Sequence, residues 1–255
     1  MKMKSFAAAL LFAGVSLAQQ PAAQPKGPAP KSQKELEALQ KVQQTEDPEQ
    51  RIKEIDNVLE NFADTDFKVP LLQMAVQSAQ QARDNEKVIL YGERTLQVDP
   101  KNYTAELAMA ESITLTTREF DLDKEDKLKK AEKYANDAIG NLKAADAPPT
   151  GVNIPPDQWP AVKKSMIADG YASLGSAATL RKKYDDAVTD LKTAADNAPD
   201  PVILARLAAA YNGAKQPDNA IATADKVLAM SDAQPAVKQF AQQEKDKAQK
   251  LKGAK

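Results

Sequence analysis

One stretch of the sequence carries the same spacing of apolar and small residues twice. The first copy reads Tyr171-x2-Leu174-Gly175, then Ala187-x3-Leu191-x2-Ala194 and Pro199. The second copy starts 33 residues later and consists of Leu204, Leu207, Ala208, Tyr211, Ala220, Ala224 and Val227. A repeat of this length is typical of two-helix units that stack on their neighbours. The spacing therefore predicts an all-α protein assembled from helical hairpins.

The order of these residues resembles the tetratricopeptide repeat (TPR), in which an aromatic, a Leu-Gly pair and a Tyr precede an Ala, a Phe and a Pro. The resemblance covers about 69–233, and Val98-Asp99-Pro100 closes another unit in the TPR manner. It implies a right-handed α-solenoid of about five hairpins with a C-terminal capping helix from about Pro235. Since such solenoids bind proteins or peptides and seldom catalyse reactions, it also implies a non-catalytic scaffold or adaptor.

Apolar periodicity outlines the remaining hairpins within a predicted solenoid at 32–255. Asp47 and Pro48 suit the cap and first residue of a helix, because Pro lacks the N–H that would stay unpaired there. Between equivalent second-helix positions, the spacing rises to 43 residues from Val88 to Ala131 and to 56 from Ala131 to Ala187. These distances predict two insertions, near 116–126 and 146–160.

The N-terminus has the layout of a secretory signal peptide at 1–18. A basic start at Met1–Lys4 precedes an apolar run, and Ser16-Leu17-Ala18 offers a cleavage site. The run is shorter than the roughly 20 residues that span a bilayer, so cleavage near Ala18 is favoured over an uncleaved anchor. We therefore expect an exported bacterial protein, periplasmic or secreted, without integral membrane insertion. Residues 19–31, rich in Pro, Ala and Gln, predict a disordered tether.

Composition excludes several kinds of chemistry. The chain has no His and no Cys, which removes the commonest general base, metal ligands and thiol nucleophile. Its 35 basic and 36 acidic residues form no concentrated basic region, so nucleic acid is not an expected partner. Asp121-x-Asp123-x-Glu125-Asp126 lacks the Gly of a calcium loop and better suits a helix N-terminus. We expect no enzyme activity and no cofactor or metal; catalysis by carboxylates alone is the alternative.

The TPR resemblance implies which side chains line the concave groove of the solenoid. The implied residues are Gln73, Gln77, Gln80, Asp169, Ser176, Thr179 and Asn212. Ordinary solvated helix surface is the alternative for each of them. Trp159, the single Trp, is either an exposed anchor for a partner or a packing residue that folds the 146–160 loop onto the solenoid. An exposed Trp159 would suit an accessory subunit that docks through this loop and leaves its groove unused.

Overall fold

A computed structural model describes residues 28–148 and 154–253. The predicted signal peptide and residues 19–27 of the predicted tether lie outside these residues. The described part contains eleven α-helices and no strand. In chain order they are α1 (Gln33–Gln44), α2 (Pro48–Asn61), α3 (Lys68–Gln81), α4 (Asn85–Val98), α5 (Tyr103–Thr116), α6 (Lys124–Ala144), α7 (Trp159–Leu180), α8 (Tyr184–Asn197), α9 (Pro201–Gly213), α10 (Pro217–Ala229) and α11 (Pro235–Gly253).

Polar side chains at the loop ends fix where several helices begin. The Asp47 carboxylate accepts a hydrogen bond from the Gln50 N–H at 2.8 Å, and Pro48 is the first residue of α2. Asp200 accepts from the Val202 N–H at 2.7 Å in the same way, with Pro201 opening α9. These caps satisfy N–H groups that have no partner within the helix. Short capped loops therefore force consecutive helices to fold back on each other.

The helices form five successive hairpins, α1/α2 to α9/α10, and α11 packs on the last of them. Each helix packs on the next one along the chain. In addition, α3, α5, α7, α9 and α11 pack on one another in series, whereas no close backbone contact joins one even-numbered helix to another in the described residues. Side chains still connect them, as in the Glu93–Lys130 ion pair between α4 and α6. A stack whose first helices touch while its second helices diverge is curved, with the first helices on the inner side. The predicted all-α solenoid of five hairpins and a capping helix is confirmed.

The turn inside a hairpin has one geometry in three of the units. Arg83, Lys182 and Lys215 lie in the left-handed region, with φ of 57°, 62° and 59°. In each case the next N–H donates at 2.9 Å to a carbonyl five residues earlier, for example from Lys183 to Ala178. This bond pairs a carbonyl that would otherwise be free at the helix end. The third hairpin has instead a loop at 117–123 and a 21-residue α6, whereas α10 has 13 residues.

Small residues let the two helices of a hairpin approach closely. Ala187 and Ala194 of α8 are fully buried against α7, together with Leu191, which is 1% exposed. A Cβ at Gly175 would lie 2.5 Å from Leu191 Cγ and 3.3 Å from the Ala187 carbonyl oxygen. The hydrogen of Gly175 is therefore the largest substituent that this helix crossing accepts.

The chain enters the solenoid through a polar anchor. The Lys31 ammonium forms ion pairs with Asp64 at 3.1 Å and Asp66 at 3.5 Å, in the turn between α2 and α3. Glu35 is 1% exposed and accepts from the Lys31 N–H and the Thr65 hydroxyl, both at 2.6 Å. Lys31, the last residue of the predicted tether, is thus attached to the second hairpin.

Replacing Gly175 with Ala tests the close helix approach. The added methyl group overlaps the Leu191 side chain, so we expect Gly175→Ala to lower the free energy of unfolding by about 1–3 kcal/mol. Gly140→Ala is the matched control, because nothing lies within 4 Å of its Cβ position in α6. The free energy of unfolding of the control should rise by about 0.5–1 kcal/mol, because Ala has a higher helix propensity than Gly. Urea unfolding followed by circular dichroism measures both, and equal effects would contradict the packing argument.

Candidate binding groove

The concave surface is formed by α3, α5, α7 and α9. Gln77 and Gln80 on α3 and Asp169 on α7 are exposed to solvent, as the TPR phase predicts. The half-buried Gln73 donates through its amide to the Thr104 hydroxyl of α5 at 3.2 Å. This bond joins two neighbouring inner helices, so the Gln73 amide is partly engaged within the protein, whereas Gln77 and Gln80 remain exposed.

The two predicted hydroxyl residues of α7 are partly occupied by their own helix. Ser176 donates to the Ala172 carbonyl and Thr179 to the Gly175 carbonyl, each at 2.8 Å, and both side chains are half-buried. A hydroxyl engaged in this way still has acceptor lone pairs free. Ser176 and Thr179 can therefore accept a hydrogen bond from a ligand, but their protons are already used.

Asn212 is not exposed in the groove, and this part of the prediction is wrong. The residue is 4% exposed, because α11 packs against α9 like a further inner helix. Its amide nitrogen donates to the Glu244 carbonyl at 2.8 Å and to the Glu244 carboxylate at 2.7 Å. Asn212 therefore holds the capping helix in place.

Trp159 is a packing residue, so its interpretation as an exposed anchor is also wrong. It is 5% exposed and lies in an apolar cluster with Leu107 and Ile167. Its ring centroid is 6.4 Å from that of Tyr103, the first residue of α5. The cluster joins the third and fourth hairpins where the second predicted insertion ends. A side chain buried this deeply offers no surface to a partner.

Sequence analysis missed part of an acidic zone in the groove. Glu111 of α5 and Asp200 at the start of α9 lie close enough to Asp169 for their charges to act on it, and Arg206 of α9 opposes them. Glu111 is exposed. With three carboxylates and one guanidinium, this zone carries a net negative charge. Glu111 has the helical phase of an exposed inner-helix position in the third hairpin, and this could have predicted it. The long α5–α6 loop made that phase difficult to assign from the sequence.

The groove changes the acidity of Asp169. The Asp169 side chain is exposed, yet enough protein atoms lie around it to disfavour solvation of its charged form. Burial first, and then repulsion from Glu111 and Asp200, raise its pKa to about 7, against the opposing effect of Arg206. Each of these causes disfavours the charged form, except for the guanidinium. The side chain therefore changes charge near neutral pH.

A second polar cleft lies on the outer side, between α6 and α8. It has a volume of about 270 Å³, and Glu132, Arg181 and Asp190 are among its lining residues. Arg181 is paired with Glu132 and with Glu125, the latter at 2.9 Å. Burial, with the charges of Asp186 and Glu132, raises the pKa of Asp190 to about 6. The internal ion pairs show that these side chains connect the third and fourth hairpins.

The structure supports the helix-terminus interpretation of the acidic segment at 121–126. Asp121 and Asp123 both pair with the Lys127 ammonium, at 3.1 Å and 2.9 Å, and α6 begins immediately afterwards. Among the described residues, no group of three or more potential ligands could hold a metal ion. Likewise, no helix in 28–148 or 154–253 has the length and apolar character to cross a membrane.

Comparison with known proteins agrees with this architecture. No family model and no curated protein matches the chain. The crystal structure of TTC0263, a thermophilic TPR protein of Thermus thermophilus, matches with a TM-score of 0.57 at 15% identity, over 82% of this chain and 98% of that one. A TPR protein from Parabacteroides merdae matches at 14% identity with a TM-score of 0.42, over 87% and 93%. The similarity to TTC0263 shows that this chain has the TPR fold.

Titration of Asp169 tests the electrostatics of the groove. We expect its carboxyl carbon to titrate near pH 7 in a 13C NMR experiment. Glu111→Gln should lower this pKa, because it removes a like charge, and Arg206→Gln should raise it, because it removes the compensating cation. Glu60→Gln, at an exposed position on α2, is the control that leaves the midpoint unchanged. An Asp169 midpoint near the ordinary value of 3.8 would show that the groove does not surround the carboxylate.

Proposed function

We propose that this protein is a non-catalytic scaffold that binds an extended segment of a partner protein on its concave face. The observation that supports this best is the serial contact of α3, α5, α7 and α9, which joins their exposed side chains into one surface. TPR-like solenoids use surfaces of this kind for binding. Gln77, Gln80, Glu111 and Asp169 are exposed polar residues on these helices, which also expose Leu115 and Val202. Hydrogen bonds and charge therefore contribute to holding a ligand.

The side chains of the groove suggest the chemistry of the bound segment. At the α3 end, the amides of Gln77 and Gln80 can both donate to and accept from a peptide backbone. At the α5–α9 end, Glu111, Asp169 and Asp200 favour a positively charged side chain. We therefore propose an extended peptide segment whose Lys or Arg residues lie over the acidic zone. Exposed ion pairs contribute only about 0.2–1 kcal/mol each, which suits reversible binding.

We also propose that the protein is exported and acts in the bacterial envelope or outside the cell. Support comes from the basic, apolar and small-residue order of 1–18. N-terminal sequencing of the protein from the periplasm or culture medium should start at Gln19. The alternative of an accessory subunit docked through Trp159 gains no support, since that side chain is buried.

Peptide binding tests the role of the groove. The probe is a fluorescent Lys/Arg-containing dodecapeptide, compared with the same peptide in which Glu replaces the basic residues. We expect Glu111→Gln/Asp169→Asn to weaken binding of the basic peptide by about two- to fivefold. Glu60→Gln/Asp185→Asn removes two exposed carboxylates outside the groove and should leave affinity unchanged. Fluorescence anisotropy gives the dissociation constants.

The pH dependence gives an independent readout. Asp169 is ionised above its pKa of about 7 and neutral below it, so affinity for the basic peptide should fall as the pH is lowered through 7. In Asp169→Asn this fall should be largely absent. If both peptides bind equally, or if the groove and control variants behave alike, the concave face is not the binding site.

A further inference from the structure

The loop at 117–123 exposes two large apolar side chains. Phe120 is 90% exposed and Leu122 is 108% exposed, more than any other large apolar residue in the described part of the chain. The equivalent turns of the four other hairpins have three residues each and no such side chain. Exposure on this scale leaves apolar surface in water that a folded domain normally buries.

Polar contacts hold this loop in a defined conformation. The buried Thr117 donates through its hydroxyl to the Ile113 carbonyl at 2.6 Å, which attaches the loop to the end of α5. The Asp121 carboxylate accepts from the Arg118 N–H at 3.0 Å and from Lys127 at 3.1 Å, which attaches it to α6. Phe120 and Leu122 therefore project from a fixed turn, on either side of the inward-facing Asp121.

Charged residues of the loop also differ in whether they are paired within the protein. Its three acidic residues are paired within the protein: Glu119 with Lys182, and Asp121 and Asp123 with Lys127. Arg118 and Lys124, which flank the apolar pair, form no ion pair with any described residue. The side chains available for an external contact are therefore those of Arg118, Phe120, Leu122 and Lys124, which occupy every second position. Asp126, further along α6, is the nearest exposed carboxylate without an ion pair.

We propose that the loop docks on a phospholipid surface, with Phe120 and Leu122 entering the boundary between headgroups and acyl chains and with Arg118 and Lys124 at the lipid phosphates. Apolar side chains flanked by cations are the combination that such an interface accepts. A second copy of the chain is a poorer occupant, because two projecting side chains are far smaller than the roughly 800 Å² per partner of a stable protein interface. A lipid surface needs no shape complementarity.

This contact differs in kind from groove binding. It lies at the junction of α5 and α6 and uses none of the residues of the acidic zone. Two apolar side chains give weak and reversible attachment, comparable to anchors that need a second signal for stable binding. The loop therefore concentrates and orients the protein at a membrane without fixing it there.

A fluorescent label reports insertion directly. Because the chain has no Cys, Leu122→Cys creates one labelling site for a nitrobenzoxadiazole probe. Leu90→Cys on α4, where the native leucine is 51% exposed, is the matched control. With phosphatidylcholine vesicles containing phosphatidylglycerol, we expect a blue shift and quenching by brominated lipid for the label at 122 only. Equal responses at both positions would overturn the proposal.

Vesicle flotation of the unlabelled protein gives the second test. Phe120→Ser/Leu122→Ser should reduce the bound fraction by at least about tenfold, while Leu90→Ser/Val98→Ser, at two other exposed apolar positions, should not. Arg118→Gln/Lys124→Gln should remove the dependence on phosphatidylglycerol. Asp169→Asn should still float, so failure of the groove proposal is distinguishable from failure of this one. Absence of flotation by the wild-type protein, or flotation of the Ser double variant, overturns the lipid contact.

Discussion

The close approach of the two helices within each hairpin is the constraint on which the rest of the structure depends. In the fourth hairpin Gly175 of α7 admits Leu191 of α8, and the same arrangement joins successive hairpins where Gly92 of α4 admits Met109 of α5. Ala220 and Ala224 of the fifth hairpin have no exposed surface at all. A larger residue at any of these points separates two helices, and every later hairpin is then displaced. The angle between neighbours, and hence the concave face, follows from these contacts.

Much of this architecture could be predicted, because the residues that determine a hairpin are close in sequence. The Asp47-Pro48 start, the Asp99-Pro100 end and the repeat around Tyr171 and Ala187 each follow from local propensity or from contacts within one unit. Gln77, Gln80 and Asp169 are exposed, which fits both the groove that the helical phase predicts and an ordinary solvated surface. Where the sequence repeats, the local spacing of residues also predicts which residues pack between neighbouring units.

The errors arise where a distant segment covers a position. Asn212 has the groove phase, but α11 lies over it, and nothing near Asn212 in the sequence indicates the bond to Glu244. Trp159 is buried because Tyr103, in another hairpin, packs against it. Glu111 and Asp200 of the acidic zone escaped prediction for a related reason, since they belong to other hairpins than Asp169 and approach it only in the folded stack.

The wide separation of the even-numbered helices in the described chain has a consequence for how such a protein can diverge. Because their backbones are not in close contact and side chains such as Lys130 of α6 and Glu93 of α4 bridge the gap, these helices can lengthen without moving the backbone of the next even-numbered helix. α6 has 21 residues, whereas α4 and α8 have 14, yet its backbone packs only on α5 and α7. The inner helix α7 is also long, with 22 residues against 14 in α3 and α5, and its first residue, Trp159, lies in the apolar cluster with Tyr103. Extra sequence in this solenoid is therefore accommodated where an outer and an inner helix, α6 and α7, lengthen side by side, while α5 and α8 on either side of them keep 14 residues.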